Sequence, residues 1–325
     1  MKPLGKPTSE AERTAETAFQ NLQAWNLQAW QGQEIFYEPG PAAVVSPIHR
    51  AVDSHCYRVR VQDQLYFAKL RQADMRDFFD DSAVAANCRI ASDAGVSPKL
   101  FAADPAVGLL VYEHLSDDWT WCKVDDLANG EVLANVVDAK KALHEGTAFS
   151  ATFDVFATIA GYLRQTSSER ITVPSDVPAI AEAVREIGEA IAASGIERRP
   201  CHADGVASNI MLGPERSVRL VDFDRAGNCD PYFDLGSLML EAFQFEEDER
   251  RILEIYEGAC RQAAYHRCKL YGAADDLMWA LWGFISFHHS PRKEVEFTKY
   301  AEWRLLRARW TLGSPGFSTW LRNLG

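Results

Sequence analysis

At 325 residues, 47% of them hydrophobic, the chain can bury a sizeable core and exceeds the length at which one compact domain usually suffices, so two lobes are expected. Its formal net charge of −12, from 34 basic and 46 acidic side chains, argues against a nucleic-acid or anionic-membrane surface and is compatible with a small cationic substrate. The seven cysteines are widely spaced with no Cys-x-x-Cys pair, so neither a disulfide frame nor a zinc site is suggested. With a polar opening after Met1 and no run of about 18 apolar residues, no secretory signal or membrane span is read, and a cytoplasmic protein is expected.

Residues 1–33 form a polar opening followed by a tandem pentapeptide, Asn21-Leu22-Gln23-Ala24-Trp25 and Asn26-Leu27-Gln28-Ala29-Trp30, read as a partly helical extension. From residue 34 to 115 the character turns to β: Val44-Val45, then 56–61 and 64–70 around a Gln62-Asp63 hairpin turn. An Ala-rich helix over 78–94 stops at Gly95, and strands follow at 98–102 and 108–113. About five strands with one inserted helix make a small α+β lobe. Lys69, flanked by apolar residues on a central strand, needs an anionic partner, which nucleotide phosphates would supply. Residues 116–325 read as a larger helical lobe, with helices over 131–144, 151–165, 176–194, 246–269, 275–287 and 294–311.

The helical pattern is interrupted by Cys201-His202-Ala203-Asp204-Gly205-Val206-Ala207-Ser208-Asn209 and, after a turn, Arg219-Leu220-Val221-Asp222-Phe223-Asp224. His-x-Asp, an Asn five residues after that Asp, and an Asp ending an apolar strand form the acidic half of a phosphoryl-transfer site. Asp204 is the expected catalytic base for a hydroxyl group, and His202 is given a supporting role bracing the loop. Asn209 and Asp222 offer the oxygen ligands that suit Mg²⁺. Asp224, on the same side of the strand as Asp222, is a further metal ligand, a substrate contact or a solvated carboxylate. Asp276, Trp279 and Trp282 lie three apart on a helix; they are either core or an aromatic wall with a carboxylate for an ammonium group.

With these motifs, and with Lys141-Ala142-Leu143-His144, Asp230-Pro231-Tyr232-Phe233-Asp234-Leu235-Gly236 and Trp279-Ala280-Leu281-Trp282-Gly283, the chain resembles the choline/ethanolamine kinase family from about residue 43 to 311. That family lies within the aminoglycoside phosphotransferase-like and protein-kinase-like folds. The resemblance implies a bilobal α+β fold and ATP- and Mg²⁺-dependent phosphorylation of a small amino alcohol. It implies Lys69 on the phosphates, Val111-Tyr112-Glu113 as the adenine-binding hinge, and Asp224, Asp276, Trp279 and Trp282 toward the substrate. The first-lobe turn Ala51-Val52-Asp53-Ser54-His55-Cys56 carries no glycine, Val84 stands where a Glu usually pairs with the lysine, and Gly205-Val206 replaces the usual Asp-Leu. A kinase for another aminated alcohol, aminoglycoside-like or thiamine-like, and a pseudokinase-like binding module are the alternative readings.

Overall fold

The computed structural model describes residues 1–24, 30–40, 44–45, 49–50 and 52–324. The second copy of the pentapeptide, up to Ala29, and Ala51 at the head of the expected nucleotide turn lie outside the described residues.

A six-stranded antiparallel sheet is built from β1 (Lys2–Pro3), β2 (Ile35–Pro39), β5 (Ser54–Val61), β6 (Gln64–Arg71), β7 (Leu100–Asp104) and β8 (Leu109–Glu113), in the order β1-β2-β5-β6-β8-β7. Two short strands, β3 (Val44–Val45) and β4 (His49–Arg50), pair with each other beside it. Strands β5 and β6 pair in register from Ser54↔Arg71 to Val61↔Gln64, and Gln62 at the turn takes φ 54°. Alternation along β6 sends Ala68 and Leu70 to one face and Lys69 to the other. The first face is closed by helix α1 (Glu10–Ala24): Ala15, Ala18, Phe19 and Leu22 share an apolar core with Tyr37, Tyr57, Val59 and Ala68. Trp30 joins them, its ring 5.4 Å from that of Tyr66. Helix α1 and Trp30 therefore pack on the back of the sheet, leaving the Lys69 face for the cleft.

Helix α2 (Asp81–Asp93) starts where the Asp80 side chain accepts from the backbone N–H groups of Ser82 and Ala83, three residues later than the pattern predicts. After β8 the chain passes through β9 (Thr120–Trp121) and α3 (Val124–Leu127) into the helical lobe: α4 (Gly130–His144), α5 (Val155–Ser168) and α6 (Val177–Ala193). Then come β10 (Arg199–Cys201), β11 (Ile210–Leu212), β12 (Val218–Leu220) and β13 (Gly227–Cys229), with β10 paired to β13 and β11 between β9 and β12.

The C-terminal helices depart most from expectation. Asp230 caps and Pro231 opens α7 (Pro231–Ala242), an element the periodicity missed. The helix expected over 246–269 divides: α8 (Glu246–Glu257) stops at Gly258, whose φ of 81° is the left-handed stop, and α9 (Gln262–His289) runs on without a break through the segment expected to separate two helices. Helices α10 (Phe297–Leu312) and α11 (Phe317–Arg322) complete the bundle around α9. Helix α9 is buried on all sides for most of its length, which is why it lacks the single apolar stripe of a surface helix.

Candidate active site

The loop after β10 is held from beneath by one buried carboxylate. Asp234 on α7 takes the Lys140 Nζ at 2.7 Å and the Ala203 N–H at 3.0 Å on Oδ1, and the His144 Nε2 at 3.0 Å and the His202 N–H at 3.1 Å on Oδ2. These contacts fix Ala203 at φ 58°, a left-handed conformation unusual for a residue with a side chain. Lys140 also donates to the Asp204 carbonyl at 3.1 Å. The Asp234 carboxyl is held well below the usual range: burial opposes this, but Lys140 and His144 outweigh it. The His144 imidazole, which burial pulls down, is carried up to about 9, chiefly by its bond to Asp234. His144, Cys201 and Asp234 are the one His/Cys/carboxylate group among the described residues with metal-like spacing, but Lys140 already neutralises its carboxylate.

His202 is buried, with Nδ1 3.0 Å from the Asp204 carbonyl and Nε2 2.9 Å from that of Val221. It bridges the Asp204 and Val221 carbonyls within the loop and does not line the slot between the lobes. Asp204 reaches the cleft with both oxygens oriented: Oδ1 accepts from the Val206 N–H at 2.8 Å and Oδ2 from the Asn209 Nδ2 at 3.1 Å. Gly205 is dictated by packing, since a Cβ there would lie 2.2 Å from the carbonyl carbon of Ser237 on α7. That approach explains the glycine of the Gly-Val departure in the loop.

Asp222 adopts φ 68° just after β12 and meets Lys69 Nζ, from across the cleft, at 2.6 Å, while Asp224 meets the same nitrogen at 2.9 Å and the Arg71 Nη1 at 2.6 Å. Arg71 in turn pairs with Asp81 on α2 at 2.7 Å. The partner question raised by Val84 is thereby answered: Val84 is core, Lys69 is paired from the opposite lobe, and the helix carboxylate serves Arg71. Asp224 sits in this ion-pair cluster rather than as an open substrate contact. Its carboxyl is driven down by Arg71 and Lys69 against burial, whereas Asp222 is raised by burial and by Asp224, with Lys69 pulling it back. Burial also lifts Asp53, in the first-lobe turn, to about 6, helped by the charges of Asp222 and Asp224.

These groups share one narrow slot of about 30 Å³ between the lobes, lined by Asp53, Asp204, Asn209, Asp222 and Asp224. Its donor set is all oxygen, and Oδ1 of Asp53 and Oδ1 of Asp224 are buried without hydrogen-bond partners. Such a set fits a hard divalent cation such as Mg²⁺.

The substrate end differs from expectation. Trp279 lines the slot, but Trp282 is fully buried among Phe78, Phe297 and Tyr300, at 6.1, 5.6 and 6.2 Å between ring centroids. Asp276 lies in the core with Arg304 at 2.8 Å and Arg307 at 3.5 Å. The aromatic wall and carboxylate therefore do not come together in the cleft. The spacing put all three on one helical face, but α9 is enclosed on every side, so positions 60° apart around it meet different neighbours. The outer face of Trp279 is covered by Arg225, whose Cζ lies 4.2 Å from the ring centroid and 5.3 Å from that of Phe79. Arg225, Arg71 and Asp53 were not singled out in the sequence; adjacency to Asp224 was the one available sign for Arg225.

At the expected hinge, Val111 is fully buried and paired on both sides, to Ala68 and Ala102, and Glu113 exchanges bonds with Lys99: its backbone N–H donates to the Lys99 carbonyl and its carboxylate accepts from the Lys99 N–H, both at 2.8 Å. Val111 thus supports the hinge from within the sheet, and the crossing between lobes begins after Glu113.

The model of the phosphotransferase enzyme family matches residues 45–271, and the chain belongs to that family. The LicA protein of Haemophilus influenzae is 25% identical over 225 residues, a match that covers 65% of this chain and 63% of that protein's length. Among solved structures, a choline/ethanolamine kinase family protein from Mesorhizobium loti superposes with a TM-score of 0.76 at 24% identity, covering 96% of this chain and 99% of that one. Choline kinase LicA from Streptococcus pneumoniae gives 0.72 at 17% identity, covering 93% and 99%. The bilobal protein-kinase-like fold is shared with both.

Proposed function

We propose that this member of the phosphotransferase enzyme family transfers the γ-phosphoryl group of ATP to the hydroxyl of a small amino alcohol. The observation that carries the reading is the Asp204 carboxylate, fixed through both oxygens at the cleft and sharing one slot with Asp222 and Asp224, which Lys69 of the first lobe pairs. Choline- and ethanolamine-kinase relatives and the acidic cleft support an aminated acceptor.

Asn209 and Asp222 would hold Mg²⁺, with Asp224 and Asp53 offering their unpartnered oxygens. When bound, the cation neutralises phosphate charge as the phosphoryl group leaves. Lys69 would take a nucleotide phosphate, and the crossing after Glu113 would meet the adenine. Asp204 orients the acceptor hydroxyl and takes its proton as the new O–P bond forms; Val206 and Asn209 keep its free lone pairs turned into the slot. Among the described residues no helix is long and apolar enough to cross a membrane.

Incubation with Mg·ATP and a panel of amino alcohols tests the reading: ADP is released, and Asp204→Asn lowers turnover about 10²–10⁴-fold while nucleotide binding persists. No ADP release with any alcohol, from protein that binds ATP, overturns it and leaves a binding module.

A further inference from the structure

Among the described residues lining the slot, Arg225 carries a charge that phosphoryl transfer leaves unexplained. Its side chain is 8% exposed, and its Nε and Nη2 lack hydrogen-bond partners. Its Nη1 reaches only the Tyr162 hydroxyl, at 3.5 Å. No ion pair joins it to a carboxylate among the described residues, although Asp53 and Asp204 line the same slot. At Arg225 burial is opposed by Tyr162 and by the more distant charges of Asp53 and Asp204 rather than by a direct ion pair, whereas the fold gives other buried arginines, such as Arg267 and Arg304, a paired carboxylate.

The position of Arg225 also decides what Trp279 can do. The aromatic face that an ammonium group would seek already carries the chain's own cation at 4.2 Å, and a second cation brought to that face would meet like charge. Phe79 on the other side holds the planar group in place, so its free N–H donors form a fixed fork beside Asp204.

We infer that the acceptor alcohol carries an oxyanion, a carboxylate or phosphate, which Arg225 binds while Asp204 receives the hydroxyl. This rests on the kinase reading above and narrows its substrate to alcohols bearing an anionic group, with a hydroxy amino acid as the simplest aminated member. The geometry is that of a carboxylate or phosphate gripped by two parallel N–H donors.

The test compares acceptors that differ only in the anion: serine against ethanolamine for a carboxylate, and glycerol phosphate against glycerol for a phosphate. The expected result is that kcat/KM favours the anionic member of one pair by about 10–100-fold, the pair identifying the group. Arg225→Met is expected to erase that ratio and to melt no lower than the wild type, since it removes a buried unpaired charge. Arg225→Lys, which keeps the charge but not the fork, retains part of the ratio and serves if the Met variant does not fold. The inference is overturned if the wild type favours the member without the anion, or if Arg225→Met lowers both members of a pair equally. It is also overturned if the variant instead changes the ATP-to-ADP affinity ratio, which would place Arg225 on the transferred phosphate. Calorimetric titration of the same pairs into Mg·ADP-loaded protein reads the contact without turnover. If no alcohol releases ADP, the kinase reading fails; this titration then decides the inference, which falls if neither anionic member binds.

Discussion

Replacing Asp234 by Asn tests how the base is held in place. In the wild type each Asp234 oxygen accepts two donors: Lys140 Nζ at 2.7 Å and Ala203 N–H at 3.0 Å on one, His144 Nε2 at 3.0 Å and His202 N–H at 3.1 Å on the other. An Asn side chain can keep its oxygen toward only one pair. Its NH₂ then faces two donors, and Lys140, 1% exposed, loses its counter-charge. Breaking a buried pair by removing one partner costs about 3–5 kcal/mol. With an unfolding entropy of about 2.1 cal/mol/K per residue, a 325-residue chain loses about 6 °C in melting temperature for 4 kcal/mol. The same bonds hold Ala203 at φ 58°, so their loss lets Asp204 drift, and a displacement of about 1 Å costs roughly 10² in turnover. Calorimetric melting and steady-state kinetics with an accepted alcohol read both effects, and nucleotide affinity should hold. The double variant Asp234→Asn/Lys140→Met, which removes the orphaned charge but keeps an acceptor for part of the loop, should recover some of the stability but not the turnover. A single variant melting within about 1 °C of the wild type at unchanged kcat, or a double variant with restored kcat, refutes the anchoring role.

Two further outcomes follow from titrating groups. Asp53 is raised in the fold from 3.8 to about 6, so its favourable contribution is present below the unfolded value and lost as pH rises through 6. In metal-free buffer Asp53→Asn should melt above the wild type at about pH 8, by up to about 3 kcal/mol of stability, with the gap closing below about pH 4; a gap that persists in acid rules out the charge as its cause. His144 is raised from 6.5 to about 9, so its contribution is complete below 6.5 and lost as pH rises through 9. The stability difference between wild type and His144→Gln should therefore shrink by about 3 kcal/mol between pH 6 and 10 in paired denaturant titrations; a difference flat across that window contradicts a charged His144 bound to Asp234.

The parts of the site that were legible in the sequence are those set by local chain geometry. Asp204, Asn209 and Asp222 lie within one loop and the strand pair after it, so their spacing carried their proximity. The parts that were not legible depend on which surfaces meet across the cleft. Lys69 had a reason to seek an anion, but that Asp222 and Asp224 supply it from the other lobe is a fact of lobe packing. The same limit separates Trp279 from Trp282: a three-residue interval places two rings on one side of a helix, yet says nothing about what encloses that helix. The strand β2 and helix α7 went unread because each is framed by proline or glycine, which read as turns until Asp230 is seen capping and Pro231 opening a helix. Asp234 stood inside a quoted motif, but the demand it meets, four donors converging beneath a left-handed Ala203, exists only once α4 and α7 pack against β10.

The ion pairs that organise the cleft also join the lobes. Lys69 and Arg71 belong to the sheet, and Asp222 and Asp224 to the helical lobe, so their contacts draw the two together over a slot of about 30 Å³. A phosphate taking Lys69 would compete with Asp222 and Asp224 for it; Asp224 would keep Arg71, whereas Asp222 would lose its ion pair, the place a divalent cation bound with the nucleotide would fill. A second bridge lies off this path. Asp74 in the first lobe accepts from Ser290 at 2.5 Å and Arg292 at 2.9 Å, and Arg292 also reaches the Val52 carbonyl at 2.8 Å. That bridge lies away from Lys69 and shares no residue with the Lys69–Asp222–Asp224 cluster. Arg225 projects from the segment just past Asp224, so the exchange of partners at Asp224 and the reception of an acceptor at Arg225 involve consecutive residues of one loop.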